Sequence, residues 1–393
     1  MNLRPAPFII RSAVLSLLLL LPVTSAWNMV SARFFPEMEL RIGDGLAGVT
    51  LDAPVSWSWP ALWDGSLKRW VSNRMRESLP MRPLLIRFDN ELRYALFREV
   101  SSTLFIGRDG QLIERKYLDD YCARKEGAAA KFATTVIPKL LDIQNYYATR
   151  GRVFIYVVTP SKAAYFPNSF SNFQPCPSST AARETLVPEY MRLLKQAGVH
   201  AVDTVALLQT LRLRHDFEMF PNGGIHWNDV AATEVVAEIV REINRQAGRE
   251  LVPSFKFRFT MNQHPSGVDR DLADLLNVLY PPLDYVTPKV AFEPSATCAD
   301  HPASRLNAAI IGTSFSHFPT DVLIRKNCLS KLTLYYYMSV GEFGGPPYHE
   351  LKHDLGDQDL ARLRDSEILI VEENESYIAR YLFIEKLHAL LGL

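Results

Sequence analysis

A serine and a histidine, set in two short motifs, are the residues of this chain best suited to chemistry. Ile311-Gly312-Thr313-Ser314-Phe315-Ser316 follows the apolar run Ala308 to Ile311, which reads as a strand ending in a tight turn. A serine at such a turn projects its hydroxyl at the carboxyl edge of a sheet, where open α/β folds place their reacting groups. Gly223-Gly224-Ile225-His226-Trp227-Asn228 comes earlier, just ahead of a segment with helical periodicity, so His226 belongs to a loop over that edge. A hydroxyl becomes a nucleophile only when a base takes its proton, and Ser with His is the minimum for making and breaking esters. Ser314 is therefore the candidate nucleophile and His226 the candidate base. Neither signal is specific alone: the chain has nine histidines, and Ser316 stands where a lipase-type elbow has glycine.

Three further places offer polar groups at the same edge. Lys162 follows Thr159-Pro160-Ser161 at the end of the apolar run Val153 to Val158, and is a candidate substrate-binding residue. Trp227 is either core packing or a platform for a sugar ring. Asn374 and Glu375 end the run that starts at Ile368, where capping a helix suits them better than catalysis. Backbone N–H groups just after the strand that ends at Gly312 are placed to line an oxyanion hole.

The elements that must position these groups alternate. The spacing predicts a hairpin over Thr103 to Ile113 with Arg-Asp-Gly at its turn, a helix over Ala128 to Ala148, a buried strand at Val153 to Val158 and a helix over Ala181 to Ala197. A strand at His200 to Val205 follows. A helix capped by Asn228 or Asp229 then carries Val235, Val236, Ile239, Val240 and Ile243 on one face. Strands at Ala308 to Ile311, Leu332 to Tyr337 and Ile368 to Val371 come next, with a last helix from Ser376 to Leu391. Strand–helix alternation argues for an α/β fold whose parallel sheet is flanked by helices. Gln246 to Pro265 and Pro281 to Pro302 read as loops or small insertions.

Ahead of this region, residues 27–60 read as a lead-in and Trp63 to Phe97 as helical, interrupted at Arg82-Pro83. The expected organisation is thus residues 1–26 as a targeting segment, 27–100 as lead-in and helices, and 101–393 as the α/β domain. In the first 26 residues Arg4 and Arg11 precede the apolar run Ala13 to Leu21, and Thr24-Ser25-Ala26 offers a cleavage site. That is the layout of a signal peptide or a short membrane anchor, which places the body outside the cytoplasm. Lysine plus arginine equals aspartate plus glutamate at 43 each, so charge gives no case for nucleic acid as a partner. Cys122, Cys176, Cys298 and Cys328 lack the spacing of a zinc site, so no metal is expected, and outside the cytoplasm they are free to form bridges.

The order of the motifs resembles the alginate O-acetyltransferase (AlgJ/AlgX-like) family, a permuted variant of the SGNH hydrolases in which Asp-x-His-Trp precedes Gly-Asp-Ser-Phe-Ser. Leu79-Pro80-Met81-Arg82, Gly107-Arg108-Asp109-Gly110, Pro160-Ser161-Lys162, Val202-Asp203-Thr204 and Asp271-Leu272 also match in order, as does the strand before Glu372-Glu373-Asn374-Glu375. The resemblance implies an SGNH-hydrolase-like domain in which Ser314 takes up an acetyl group as an ester and passes it to a polysaccharide hydroxyl. It implies His226 as base and then acid, and no bound cofactor. The acetyl group would come from a membrane-bound O-acyltransferase partner, and the location would be periplasmic, with inner-membrane association through the N-terminus.

Two departures stand out. Gly224 replaces the family's Asp two residues before the histidine, and Thr313 replaces the Asp before the serine. In a triad the missing carboxylate orients the ring and stabilises the imidazolium. Asp216 and Asp229 are the nearby candidates to replace it. Three readings therefore stand: an exopolysaccharide O-acetyltransferase, an acetylesterase with water as acceptor, and a catalytically silent polysaccharide-binding component motivated by Gly224.

Overall fold

Apolar runs without polar alternation form strands buried on both faces, and these make the centre of the molecule's main sheet. The structure is a computed structural model describing residues 6–40, 42–49, 52–123, 127–170, 186–293, 306–326, 329, 331–338, 340–344, 353–354, 356–376, 378 and 382–393. Its strands are β1 (Leu104–Ile106), β2 (Leu112–Glu114), β3 (Val153–Thr159), β4 (Ala201–Asp203), β5 (Phe257–Asn262) and β6 (Thr287–Phe292). They continue with β7 (Asn307–Gly312), β8 (Lys331–Tyr336), β9 (Val340–Gly344), β10 (His353–Asp354) and β11 (Ile368–Asn374).

The main sheet runs β10-β9-β8-β7-β11-β3-β4. The five strands from β8 to β4 are parallel, and β9 and β10 add an antiparallel edge. Every residue of β3 and β11 is buried. The last strand enters the middle: Ile370 of β11 pairs with Ile155 of β3 on one side and Ile310 of β7 on the other. The chain therefore builds outward in two directions from β11, and the carboxyl ends of β3, β11 and β7 lie side by side at the switch point where such sheets hold ligands. This is the α/β fold with a helix-flanked parallel sheet that the sequence predicts.

Helices cover the sheet because their apolar faces require it. In the helix Asp229–Ala247 the Asn228 side chain accepts the Ala231 N–H, and Gly248 closes the other end in the left-handed conformation. Val235, Val236, Ile239, Val240 and Ile243 are all buried, as their spacing predicts. The helix expected over Ala128 to Ala148 is two, Ala128–Thr135 and Ile137–Ala148, with Pro138 in the first turn of the second. Proline lacks an amide hydrogen and starts a helix more easily than it continues one. Phe132, Leu140, Ile143 and Tyr147 from this pair join Phe154, Val371, Phe383 and Ile384 in the core.

Two segments read as loops hold a two-stranded antiparallel ribbon, with Phe257 of β5 paired to Phe292 of β6. Four of the six residues of β5 are exposed, so the ribbon shows no clean apolar alternation. Its strands also lie too far apart in sequence for a turn signal. Of the helix expected from Ala181, Leu186–Ala197 is described, and of the last one, Leu382–Leu391. The earlier parts of both predictions fall wholly or partly outside the described residues.

The chain divides into two compact units, Met1–Ser101 with Ala273–Pro282, and Ser102–Leu272 with Leu283–Leu393. The first holds the helices Ala6–Phe34, Ser66–Glu77 and Arg82–Phe97, with Pro83 opening the third. Asn277 joins its later segment to the earlier one, accepting the Ala47 N–H at 2.8 Å and donating to the Ala47 carbonyl at 3.1 Å. Among the described residues no helix is long and apolar enough to cross a membrane. Cys122, in the second unit, is disulfide-bonded, and Cys176, Cys298 and Cys328 lie outside the described residues.

The core also contains a polar tie. Tyr147 donates its hydroxyl to the Leu363 carbonyl at 2.5 Å, both groups buried. Tyr147→Phe leaves that carbonyl without a donor, and the expected cost is about 1–2 kcal/mol, read as a lower denaturant midpoint with unchanged slope.

Candidate active site

Ser314 opens a single 3-10 turn, Ser314–Ser316, immediately after β7. Thr313 organises the turn. Its hydroxyl receives the Phe315 N–H at 3.3 Å, while its carbonyl receives the Ser316 N–H at 3.0 Å and the Ser316 hydroxyl at 2.5 Å. The Thr313 amide donates to Glu372 at 2.6 Å. Of the amides from 313 to 316, only that of Ser314 has no acceptor among the described residues. Threonine at 313, where the resemblance has Asp, thus caps the turn through both its hydroxyl and its carbonyl.

His226 reaches the turn through aromatic packing. Its ring lies 5.0 Å from that of Phe315 and 6.5 Å from that of Phe318. Nδ1 lies 3.1 Å from Asp271 Oδ2, and the other oxygen of that carboxylate accepts the Ile225 N–H at 2.9 Å. A carboxylate on Nδ1 makes that nitrogen the donor and leaves Nε2 with its lone pair. Nε2 is buried and has no hydrogen-bond partner among the described residues. The serine turn, the histidine and a carboxylate therefore come together, with the ring held at one nitrogen and available at the other.

Asp271 is the carboxylate that meets the histidine, and sequence reasoning does not assign it that place. Of the two carboxylates near the histidine in sequence, Asp216 is exposed, and Asp229 accepts the Val290 N–H at 3.0 Å; among the described residues the ring's carboxylate partner is Asp271. Asp271 is 45 residues after the histidine, and its one sequence signal is the Asp271-Leu272 match to the family pattern.

The structure also shows why no carboxylate stands at 224. A Cβ there would lie 2.5 Å from the Val268 carbonyl oxygen and 2.7 Å from Pro221 Cγ, distances that side chains do not tolerate. The segment that excludes a side chain at 224 is the one that delivers Asp271. It is fixed by the Leu272 N–H on the Gly223 carbonyl at 2.9 Å and by the Tyr285 hydroxyl on the Asp269 carbonyl at 2.7 Å. Lys289 adds an ion pair to the buried Asp269 carboxylate at 2.7 Å.

Lys162 and Trp227 sit elsewhere than expected for substrate contacts, and burial is the reason. Lys162 is 1% exposed, and its ammonium donates to the carbonyls of Pro221, Asn222 and Gly224 at 2.7, 2.9 and 2.8 Å. All three of its hydrogens are used. Burial pushes its pKa well down, opposed by the Asp271 charge. Trp227 is 0% exposed and packs edge-on against Phe315 at 5.3 Å, so it has no open face for a sugar. Lys162 thus shapes the loop that carries His226, and Trp227 supports the turn that carries Ser314.

The loop has further ties. Leu112 donates its N–H to the Asn222 carbonyl at 2.9 Å, and Gln111 bonds the Asn222 side chain at 2.7 Å, so the β1–β2 hairpin clamps it. Glu114 of the hairpin has a raised pKa, from burial first and the Asp271 charge second. Asn374 accepts the Ser376 N–H at 3.1 Å in the turn that follows β11, where the described residues hold no α-helix for it to cap, and Glu375 takes the Ser161 hydroxyl at 2.5 Å.

A model of the family described as "SGNH hydrolase-like domain, acetyltransferase AlgX" matches residues 88–322. No curated protein matches the chain. Among solved structures, the O-acetyltransferase domain of Pseudomonas putida AlgJ is similar at 17% identity, covering 73% of this chain and 98% of that one, with a TM-score of 0.47. Pseudomonas aeruginosa AlgX is similar at 16% identity, covering 74% of this chain and 67% of its own, with a TM-score of 0.46. Bacillus cereus PatB1 follows at 12% identity, 70% and 96% coverage and a TM-score of 0.44.

The close approach at Gly224 is testable through stability. Gly224→Ala forces the Val268 carbonyl away, and the expected loss is about 1–3 kcal/mol, measured as a lower denaturation midpoint. An unchanged midpoint would show that the 266–271 segment moves aside freely.

Proposed function

The chain belongs to the AlgX acetyltransferase family of SGNH hydrolase-like domains, and from that premise we propose that it is an extracytoplasmic O-acetyltransferase acting on hydroxyls of an alginate-like exopolysaccharide. The observation that carries this reading is the His226 ring, with Nδ1 on Asp271 and Nε2 unpartnered among the described residues beside the Ser314 turn.

In the first half-reaction His226 Nε2 takes the Ser314 proton as Oγ attacks the acetyl carbonyl. The bond to the donor's leaving group breaks, that group receives the proton from His226, and acetyl-Ser314 remains. In the second half-reaction Nε2 takes the proton of a sugar hydroxyl. The sugar oxygen attacks the ester carbonyl, the Ser314 C–O bond breaks, and the proton returns to Ser314. The Ser314 amide is the donor available to the oxyanion in both halves. Asp271 holds the ring and balances the imidazolium in each.

The acetyl group is supplied by a membrane-bound O-acyltransferase partner, with no cofactor resident in this chain. The periplasm is the proposed location. The N-terminal apolar segment and the bridged Cys122 support it, since disulfides persist in oxidising compartments. The silent-binder alternative rested on Gly224, and Asp271 at Nδ1 supplies the carboxylate whose absence motivated it.

Incubation with a chromogenic acetyl ester is expected to leave an acetyl group on the Ser314 peptide, seen by mass spectrometry and absent in Ser314→Ala. Asp271→Asn is expected to slow ester turnover on the order of 10⁴-fold while the protein stays folded. Exopolysaccharide oligomers should then accept the acetyl group faster than water does. Acetylation of Ser314→Ala at the wild-type rate would overturn the assignment, and release only to water would favour an esterase.

A further inference from the structure

Beneath the Ser314 turn lies a carboxyl group that the acyl-transfer scheme leaves unused. Glu372 of β11 is 2% exposed. Its Oε2 accepts the Thr313 N–H at 2.6 Å, and its Oε1 accepts the Thr159 hydroxyl at 2.5 Å. The Thr313 hydroxyl reaches both oxygens, at 2.8 and 3.1 Å. Gly312 makes this approach possible, because a Cβ there would lie 2.7 Å from Oε2. The carboxyl group thus touches the residue before the nucleophile twice, once through backbone and once through side chain.

The groups around Glu372 are donors, which suits an ionised carboxylate. Thr159 of β3 and Thr313 after β7 are uncharged. The charged or titratable groups that interact with it are His226, whose positive form favours the carboxylate, Glu373, the next residue of β11, and Tyr156 of β3. Glu373 points to the other face of the strand, where it accepts the Tyr156 hydroxyl at 2.6 Å. Burial opposes ionisation and pushes the Glu372 pKa up to about 7.

We propose that Glu372 is a positioning residue for the nucleophile: its carboxylate holds the Thr313 end of the Ser314 turn and adds a second negative charge, after Asp271, near the imidazolium that His226 becomes. The proposal rests on the Ser314–His226 reading above. It places function and stability in opposition. With its pKa raised in the fold, Glu372 binds a proton more readily folded than unfolded between its ordinary 4.5 and about 7. Stability from this group is therefore full at low pH and falls as pH rises through that window. The form that serves the turn is the one that costs stability.

The test uses the full chain and phenylmethylsulfonyl fluoride, with Ser314 modification followed by mass spectrometry from about pH 5 to pH 9. Wild-type reactivity is expected to rise with pH along a limb steeper than one proton, because Glu372 ionises within this window. Glu372→Gln keeps an acceptor for the Thr313 N–H but no charge. It is expected to react about tenfold more slowly at pH 8, along a one-proton limb. Its thermal midpoint at pH 8 is expected to match or exceed the wild type.

Wild-type rate and profile in Glu372→Gln would overturn the proposal and leave the nucleophile assignment standing. A slower rate with an unchanged profile and a lowered midpoint would also overturn it, reducing Glu372 to packing. A wild type unreactive at Ser314 at every pH would overturn both readings. If Glu372→Gln does not fold, Thr159→Val decides, since it removes a donor to Oε1 without touching the turn. The steep part of its limb is expected to move up by roughly one pH unit, and an unmoved limb would sink the idea.

Discussion

The site depends on one buried cation. The Lys162 ammonium has no side-chain counter-ion in contact among the described residues and is instead enclosed by three carbonyls from residues 221 to 224. A buried ammonium is tolerated only when its hydrogens are bonded, so the loop takes the shape that brings all three carbonyls to one point. That shape turns Gly224 toward the 268–269 backbone and sends Ile225 and His226 toward Asp271. The Asp271 charge in turn favours the ammonium form of Lys162. Lysine, loop and acid support one another, and the histidine is aimed by their sum.

A second consequence concerns charge. The carboxyl ends of β3 and β11 bring Lys162, Glu372, Glu373 and Glu375 out of water, and each meets donors or acceptors there. Burial pushes Glu373 up to about 8 and Glu372 to about 7, so this edge holds groups that ionise with difficulty beside the Ser314 turn. Such an edge gives up stability for a preorganised field, as sites of chemistry commonly do. Beyond β8, Tyr337 and Met338 add backbone strain with φ of 50° and 56°. Tyr337 is held there by its N–H on the Gly312 carbonyl at 2.9 Å, directly against the strand that leads to Ser314.

Much of this is legible in the sequence, and the reason differs by element. The strands β3, β7, β8 and β11 show themselves because burial on both faces demands continuous apolar runs. The helix Asp229–Ala247 does so through its cap and its apolar face. Ser314 and His226 stand out because their turn chemistry is local. The ribbon of β5 and β6 does not, since an exposed strand carries no burial pattern. Lys162 misleads because a lysine after a strand usually meets solvent, and nothing nearby in sequence reveals the three carbonyls of Pro221, Asn222 and Gly224. Trp227 is ambiguous for the same reason: its partner, Phe315, is distant in sequence.

Asp271 is the sharpest instance of that limit. A triad is defined by where three groups meet, not by their order, so the acid can come from any segment that reaches Nδ1. Here the segment before Asp271 packs so closely on residue 224 that a side chain there and this path of the chain exclude each other. Moving the acid off the histidine's own loop has a physical consequence. Its position now depends on the Lys289–Asp269 ion pair and the Tyr285 hydrogen bond, which are anchored in and beside β6. The exposed ribbon, which looks peripheral to the sheet, thereby becomes part of what orients the histidine. The absence of Asp at 224 and the presence of the ribbon are two faces of one arrangement.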